Sequence, residues 1–212
     1  MPGTAYGVIR QAGNLDLMHG LPGQTPKLAL ADLEQAIALA PEHLSWYQLT
    51  LEPNTEFHAH PPTLPEEEVL WDIQDEGHER LEAAGFQRYE ISAYAQSGRR
   101  ARHNLNYWRF GDYLGIGAGA HAKISQPGAT GFAIERRWKT RQPEAYLRRL
   151  NDPRGFIAGH RRVTDDEVAL EFAMNALRLV EGVPITVLSQ RTGLEAGAIN
   201  AALAAGRAQG LL

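Results

Sequence analysis

Hydrophobic positions in the first half of the chain switch between continuous apolar runs and helical spacing. Residues 14–18 form a short apolar run that stops at His19-Gly20-Leu21-Pro22-Gly23, a turn sequence. Thr25 is placed to cap a helix with Pro26 at its first position. Leu30, Leu33, Ile37 and Ala40 then return at helical intervals up to Pro41. Residues 44–51 are rich in aromatics and read as a buried strand. A polar, proline-broken loop covers 52–64. A second helix starts near Pro65, where Glu66, Glu67 and Glu68 suit the positive end of its dipole. Val69, Ile73 and Leu81 share one face of it, and Gly85 can close it. Residues 87–95 alternate and read as a third strand. Strand, helix, strand, helix, strand with short links predicts parallel βαβ units in a barrel or open sheet. Such folds gather their sites at the loops after strand C-terminal ends.

The second half is less regular. Residues 99–110 are basic and aromatic, 111–122 hold four glycines, and 132–140 read as one more strand. A short helix is expected over 143–150, then a loop over 151–159. Thr164 and Glu167 form a Thr-x-x-Glu capping pair. Val168, Phe172, Ala176 and Leu179 follow as an apolar stripe that Gly182-Val183-Pro184 breaks. Residues 185–191, a turn at Thr192-Gly193, and 195–209 predict helix, turn, helix. The domain boundary is expected between residues 160 and 161.

Candidate chemistry centres on His103-Asn104-Leu105-Asn106-Tyr107-Trp108. A neutral imidazole ligates iron, a helix would put Tyr107 on the face of His103, and Trp108 offers a flat apolar surface. Arg99, Arg100 and Arg102 can pair with carboxylates. The alternative is a surface turn with two packed aromatics. Gly115-Ile116-Gly117-Ala118-Gly119-Ala120-His121 does not fit a dinucleotide fingerprint, because its third glycine falls one place early. It reads either as a strand end meeting a ligand or as a tightly packed corner. Asp16 lies in an apolar strand, where an unpaired carboxylate is costly, so a partner is expected. His58 and His60 share a proline-rich loop with Glu56 and read as solvated. His19 follows a strand end, where catalytic groups gather, and His78 lies in a charged helix and reads as exposed.

Composition narrows the classes. A net charge of -4 gives no electrostatic reason to bind nucleic acid, and the helix pair near the end carries too few phosphate-contacting residues for DNA. There is no cysteine, hence no disulfide, no thiolate metal site and no iron–sulfur cluster of the usual kind. No apolar stretch is long enough for stable membrane insertion, and no signal peptide stands at residues 1–14. A cytoplasmic location is expected.

Four long motifs in fixed order carry a family resemblance. They are Asn14 to Thr25, His43 to Thr50 with Glu52-Pro53-Asn54-Thr55, Tyr89 to Ala95, and His103 to Gly117. From about residue 7 to 212 the chain resembles the HemW-type radical-SAM haem chaperones, relatives of oxygen-independent coproporphyrinogen III oxidase. The resemblance implies an α/β fold. Residues 1–160 would be the C-terminal part of a radical-SAM partial (β/α) barrel, and 161–212 an incomplete helical, winged-helix-like domain. It implies S-adenosylmethionine contacts at Asp16, Thr50 and His121, and haem on His103, Asn104, Tyr107 and Trp108, with His103 as the iron ligand. It implies a haem-acceptor protein as partner. The family's Cys-x-x-x-Cys-x-x-Cys loop for a [4Fe–4S] cluster is missing, so the chain reads as truncated and unable to perform radical chemistry. An oxidase fragment and a helix-turn-helix interaction module are the other readings.

Overall fold

The computed structural model of the chain describes residues 13–128, 131–153 and 155–210. It forms two compact units that divide between Ala101 and Arg102. The expected boundary at 160/161 falls inside the second unit. The terminal residues 1–12 and 211–212, where the leader and truncation readings rested, lie outside the described residues.

In the first unit, β1 (Asn14–His19), α1 (Pro26–Ala38) and β2 (His43–Gln48) make the predicted parallel βαβ. Thr25 caps α1 by accepting from the Leu28 amide, with Pro26 in the first turn. α2 (Glu56–Ala59) is a single turn within the loop read as irregular. α3 (Glu67–Ala83) follows and closes at Gly85, which has φ +86°. The expected third strand is in fact a hairpin, β3 (Gln87–Glu90) and β4 (Ala93–Ala95), in a sheet of order β1-β2-β4-β3. The buried Glu90 carboxylate accepts from both the Ser92 amide and hydroxyl, each at 3.2 Å, which folds the chain back over two residues. β4 therefore runs antiparallel to β2.

Ala29, Leu33 and Ala36 of α1 pack with Ile73 and Leu81 of α3 onto Leu44, Trp46, Phe86 and Tyr94. This is the predicted helical stripe meeting the inward face of the sheet. Trp46 lies against the backbone of Gly77, where an added Cβ would fall 1.7 Å from the indole. His43 bridges the sheet, its Nε2 2.7 Å from the Tyr89 hydroxyl.

The second unit begins with α4 (Arg102–Trp108). Its sheet, β5 (His121–Gly128), β6 (Gly131–Lys139) and β7 (Ile157–Arg162), is antiparallel throughout. β6 matches the expected strand, whereas β5 and β7 were read as irregular. α5 (Pro143–Leu147) and a short 3₁₀ turn (Arg148–Asn151) link β6 to β7. α6 (Asp165–Ala176), α7 (Thr186–Thr192) and α8 (Gly197–Ala208) complete the unit. Glu167 reaches back to the amide and hydroxyl of Thr164, as the capping pair predicts. Phe110, Ile134, Val163, Val168, Phe172, Leu188 and Ile199 form the core between the helices and one face of the sheet.

Candidate functional site

The first unit scatters its sequence candidates. Asp16 is exposed in β1 and accepts from the Asn14 amide at 3.0 Å. Asp16 thus has the partner expected of it but is not buried, because alternation along β1 turns it away from the Leu15 and Leu17 face. Asp16 pairs in register with Ser45, and Thr50 lies two residues beyond the end of β2. Thr50 is exposed and donates to Glu52 at 3.0 Å. His121 belongs to the other unit, at the start of β5, and is exposed.

His19 is not a surface catalytic group. It is 4% exposed, and its ring lies 4.2 Å from that of Trp46, tilted by 39°. Burial, then the charge of His78, lowers its pKa to about 4. His78 is half-buried rather than exposed, edge-on to Trp46 and close to Tyr94. Burial and Arg88 depress its pKa against the opposing effect of Asp75. His60 pairs with Glu56 one turn away, and both are exposed. No group of three His, Asp or Glu side chains able to hold a metal ion occurs among the described residues.

The motif around His103 is assembled. α4 puts His103 and Tyr107 on one face, with their rings 6.3 Å apart and edge-on. His103 is exposed, and its ring has no hydrogen-bond partner among the described residues. Asn104 is half-buried. Tyr107 also meets the Tyr113 ring at 4.8 Å, and the Arg178 guanidinium lies 4.3 Å over the Trp108 indole. Arg99 pairs with Glu42 and Arg100 lies over the Tyr89 ring, both within the first unit.

A tight turn ends α4. Phe110 takes a left-handed backbone at φ +56°, a cost offset by burying its ring to 1% exposure. Gly111 packs so closely on Asn106 that a Cβ would sit 2.0 Å from its Oδ1. The Asn106 amide donates to the Asp112 carbonyl at 2.9 Å. Asn106 is therefore a positioning residue for the turn.

Beside α4 lies a cavity of about 220 Å³ lined by Tyr107, Trp108, Gly111, Tyr113, Lys123, Arg136 and Asn175, with Phe110 below. Trp108 Nε1 is buried in this wall without a partner among the described residues. Lys123 is 2% exposed and donates to the Phe110 carbonyl, Asp112 Oδ1 and Ser125 Oγ at 3.0, 2.9 and 3.2 Å. Its ammonium also lies 4.1 Å over the Phe110 ring. Burial lowers the Lys123 pKa, and Asp112 opposes that. Burial alone would raise the Asp112 pKa, but hydrogen bonds from Lys123 and Ser125 and the ammonium charge together pull it below the usual carboxylate value. Arg136 is held by Tyr113 and Glu171. Sequence reasoning missed this polar floor. Its one signal was a lysine inside Ala122-Lys123-Ile124.

The side chains of α4 are of a kind a haem could use, an exposed imidazole and two aromatic rings, although His103 is not among the residues that line the cavity and Arg178 lies over the Trp108 ring. They do not fit a [4Fe–4S] cluster, because the chain has no thiolate to hold one.

Comparison with known proteins agrees with the motif reading. A family model described as the HemN C-terminal domain matches residues 163–212. The chain is 48% identical to heme chaperone HemW of Escherichia coli over 98% of its own length and 53% of that protein. It is 52% identical to heme chaperone HemW of Haemophilus influenzae over 88% of this chain and 46% of the relative. The mitochondrial radical S-adenosyl methionine domain-containing protein 1 of Bos taurus is 34% identical over 82% of the chain and 40% of the relative. The chain thus spans about half the length of the curated relatives it matches. A solved structure described as coproporphyrinogen III oxidase (HemN) from Escherichia coli, a radical SAM enzyme, aligns with TM-score 0.64 at 18% identity, covering 86% of this chain and 44% of that one. The α/β fold is therefore that of the radical-SAM oxidase. Among the described residues no helix is long and apolar enough to cross a membrane.

Proposed function

We propose, on the premise that this chain matches the HemW-type haem chaperones along nearly its whole length, that it carries a haem-binding segment of such a chaperone, with His103 as the iron ligand. The observation that carries the reading is the exposed His103 ring, unengaged by hydrogen bonds among the described residues, one turn from Tyr107 on a helix whose Trp108 walls an open cavity. A neutral imidazole offers its lone pair to iron without first breaking a protein contact. Tyr107 and Trp108 supply apolar faces for the macrocycle. One surface ligand on a short helix suits a carrier that must give its cargo to an acceptor protein, since few bonds have to break for release.

S-adenosylmethionine at Asp16, Thr50 and His121 remains an inference from family resemblance. All three side chains are exposed. No radical step is assigned to this chain, which lacks the cluster cysteines. For the same reason an oxidase activity of its own is not proposed.

Haem titration tests the reading. The chain is expected to shift the Soret band saturably, and His103→Ala to weaken binding at least tenfold and change the band position. A Soret spectrum indifferent to His103→Ala removes His103 as ligand.

A further inference from the structure

The three-stranded sheet has two unlike faces. β5 sends Lys123 to the cavity beside α4, while its neighbours Ala122 and Ile124 line a second cavity of about 250 Å³. β6 divides likewise, with Arg136 at the first cavity and Arg137 at the second. Successive strand residues point to opposite faces, so the two cavities lie on opposite sides of the sheet. The helices of the core cover the first side.

An open sheet face is ordinarily polar. This one is apolar across Ala120, Ala122, Ile124 and Ile157, and Leu114 and Ile116 stand over it at 76% and 87% exposure. The loop that presents them is pinned. Tyr113 and Lys123 exchange backbone hydrogen bonds at 3.0 and 3.1 Å, Gly119 donates to Thr140 at 2.8 Å, and Lys139 donates to Ala120 at 3.0 Å. Gly115 faces the His121 carbonyl so closely that a Cβ would fall 2.4 Å from it. Two large aliphatic side chains are thus held in water by a fixed backbone, the mark of an interaction surface.

The rim supplies charge. Arg137 and Lys139 line the same cavity two residues apart on β6. Glu135 engages Arg137 through its Nε and lies 3.4 Å from His160. The Lys139 ammonium is 5.8 Å from the Phe156 ring, and no ion pair involves it among the described residues. An apolar floor edged by Lys139 and by Arg137, whose charge Glu135 partly offsets, complements a flat apolar molecule with carboxylates on one edge.

We propose that this face is a second porphyrin site. The macrocycle rests on Leu114, Ile116, Ala122, Ile124 and Ile157, and its propionates meet Arg137 and Lys139. The proposal rests on the haem-handling reading above, but it needs no metal ligand and does not involve His103, which is on α4 and lines neither cavity. The chain would then offer a porphyrin two stations, one that holds the metal and one that holds the ring and its acid edge.

Metal-free protoporphyrin IX separates the two, because it has the ring and both carboxylates but no iron. Its fluorescence is followed as the chain is titrated in. Saturable binding is expected, with Kd raised at least tenfold by Ile116→Asp and by Lys139→Glu, and changed less than twofold by His103→Ala. The dimethyl ester, which lacks both charges, is expected to bind at least tenfold more weakly. Far-UV circular dichroism matching the parent checks that the exposed-site variants fold. The proposal is overturned by absence of saturable binding, by Kd values indifferent to both variants, or by His103→Ala weakening binding as much as they do. The haem spectrum of His103→Ala reports on the α4 ligand independently, so either site can fail without the other.

Discussion

Replacing Asp112 with asparagine strikes the polar floor beside α4 without changing its shape. Asp112 accepts three bonds: from Lys123 Nζ at 2.9 Å, Ser125 Oγ at 2.7 Å and the Ser125 amide at 2.8 Å. Asparagine keeps one acceptor oxygen but loses the charge opposite a lysine that is 2% exposed. Orphaning one partner of a fully buried pair costs about 3–5 kcal/mol. The Asp112 side chain is 42% exposed, so solvent already screens part of the attraction. The Phe110 carbonyl and ring also still face the ammonium. The expected cost is therefore about 2–3 kcal/mol, between the deeply buried case and a single charged hydrogen bond. With a urea slope of about 2 kcal/mol/M, the unfolding midpoint of the second unit should fall by about 1 M. Hydrogen exchange of peptides from β5 and β6 reads that unit separately from the first. Asp112→Asn with Lys123→Met should recover most of the loss, since the uncompensated cation is gone. The sign with pH follows from the lowered carboxyl pKa. The contribution is present above the unfolded carboxylate value and disappears as pH falls through the folded one. A midpoint change below about 0.3 M, or a double variant no more stable than Asp112→Asn, refutes the account.

Two further predictions concern the first unit. Gly77→Ala should destabilise it by about 1–3 kcal/mol or more, because the new methyl falls inside the Trp46 ring, and thermal melts of the variant measure this. His19 has a pKa lowered to about 4 by burial and by His78. The unfolded chain therefore binds a proton at His19 between the ordinary histidine value and about 4 that the folded chain refuses. Stability should fall as pH drops through that window, and His19→Gln should flatten the slope in pH-dependent denaturation.

What the sequence made legible was local chemistry. Thr25-Pro26, Gly85 and Thr164 with Glu167 mark helix ends through caps that act over three or four residues, and each stands where the structure has it. The spacing of His103 and Tyr107 became a shared face as soon as α4 proved helical. The misreadings are long-range. Residues 87–95 look like one alternating strand, and only the burial of Glu90 against Ser92 reveals the reversal. β5 and β7 gain their pattern from pairing with β6, and Gly159 and Pro127 hide it in sequence. His78 looks exposed among charged neighbours on its own helix, but it packs on Trp46 and Tyr94 from other elements. The Asp112–Lys123 pair depends on two segments brought together by the Tyr113 bridge.

The alternation along β5 constrains how this protein can vary. Odd and even positions of one strand furnish two different environments, so a point replacement can retune either without disturbing its counterpart. A single inserted or deleted residue would invert the strand, bringing lysine to the aliphatic side and alanine and isoleucine to the ionic one. Descendants of this chain should tolerate substitutions there far more readily than changes in length.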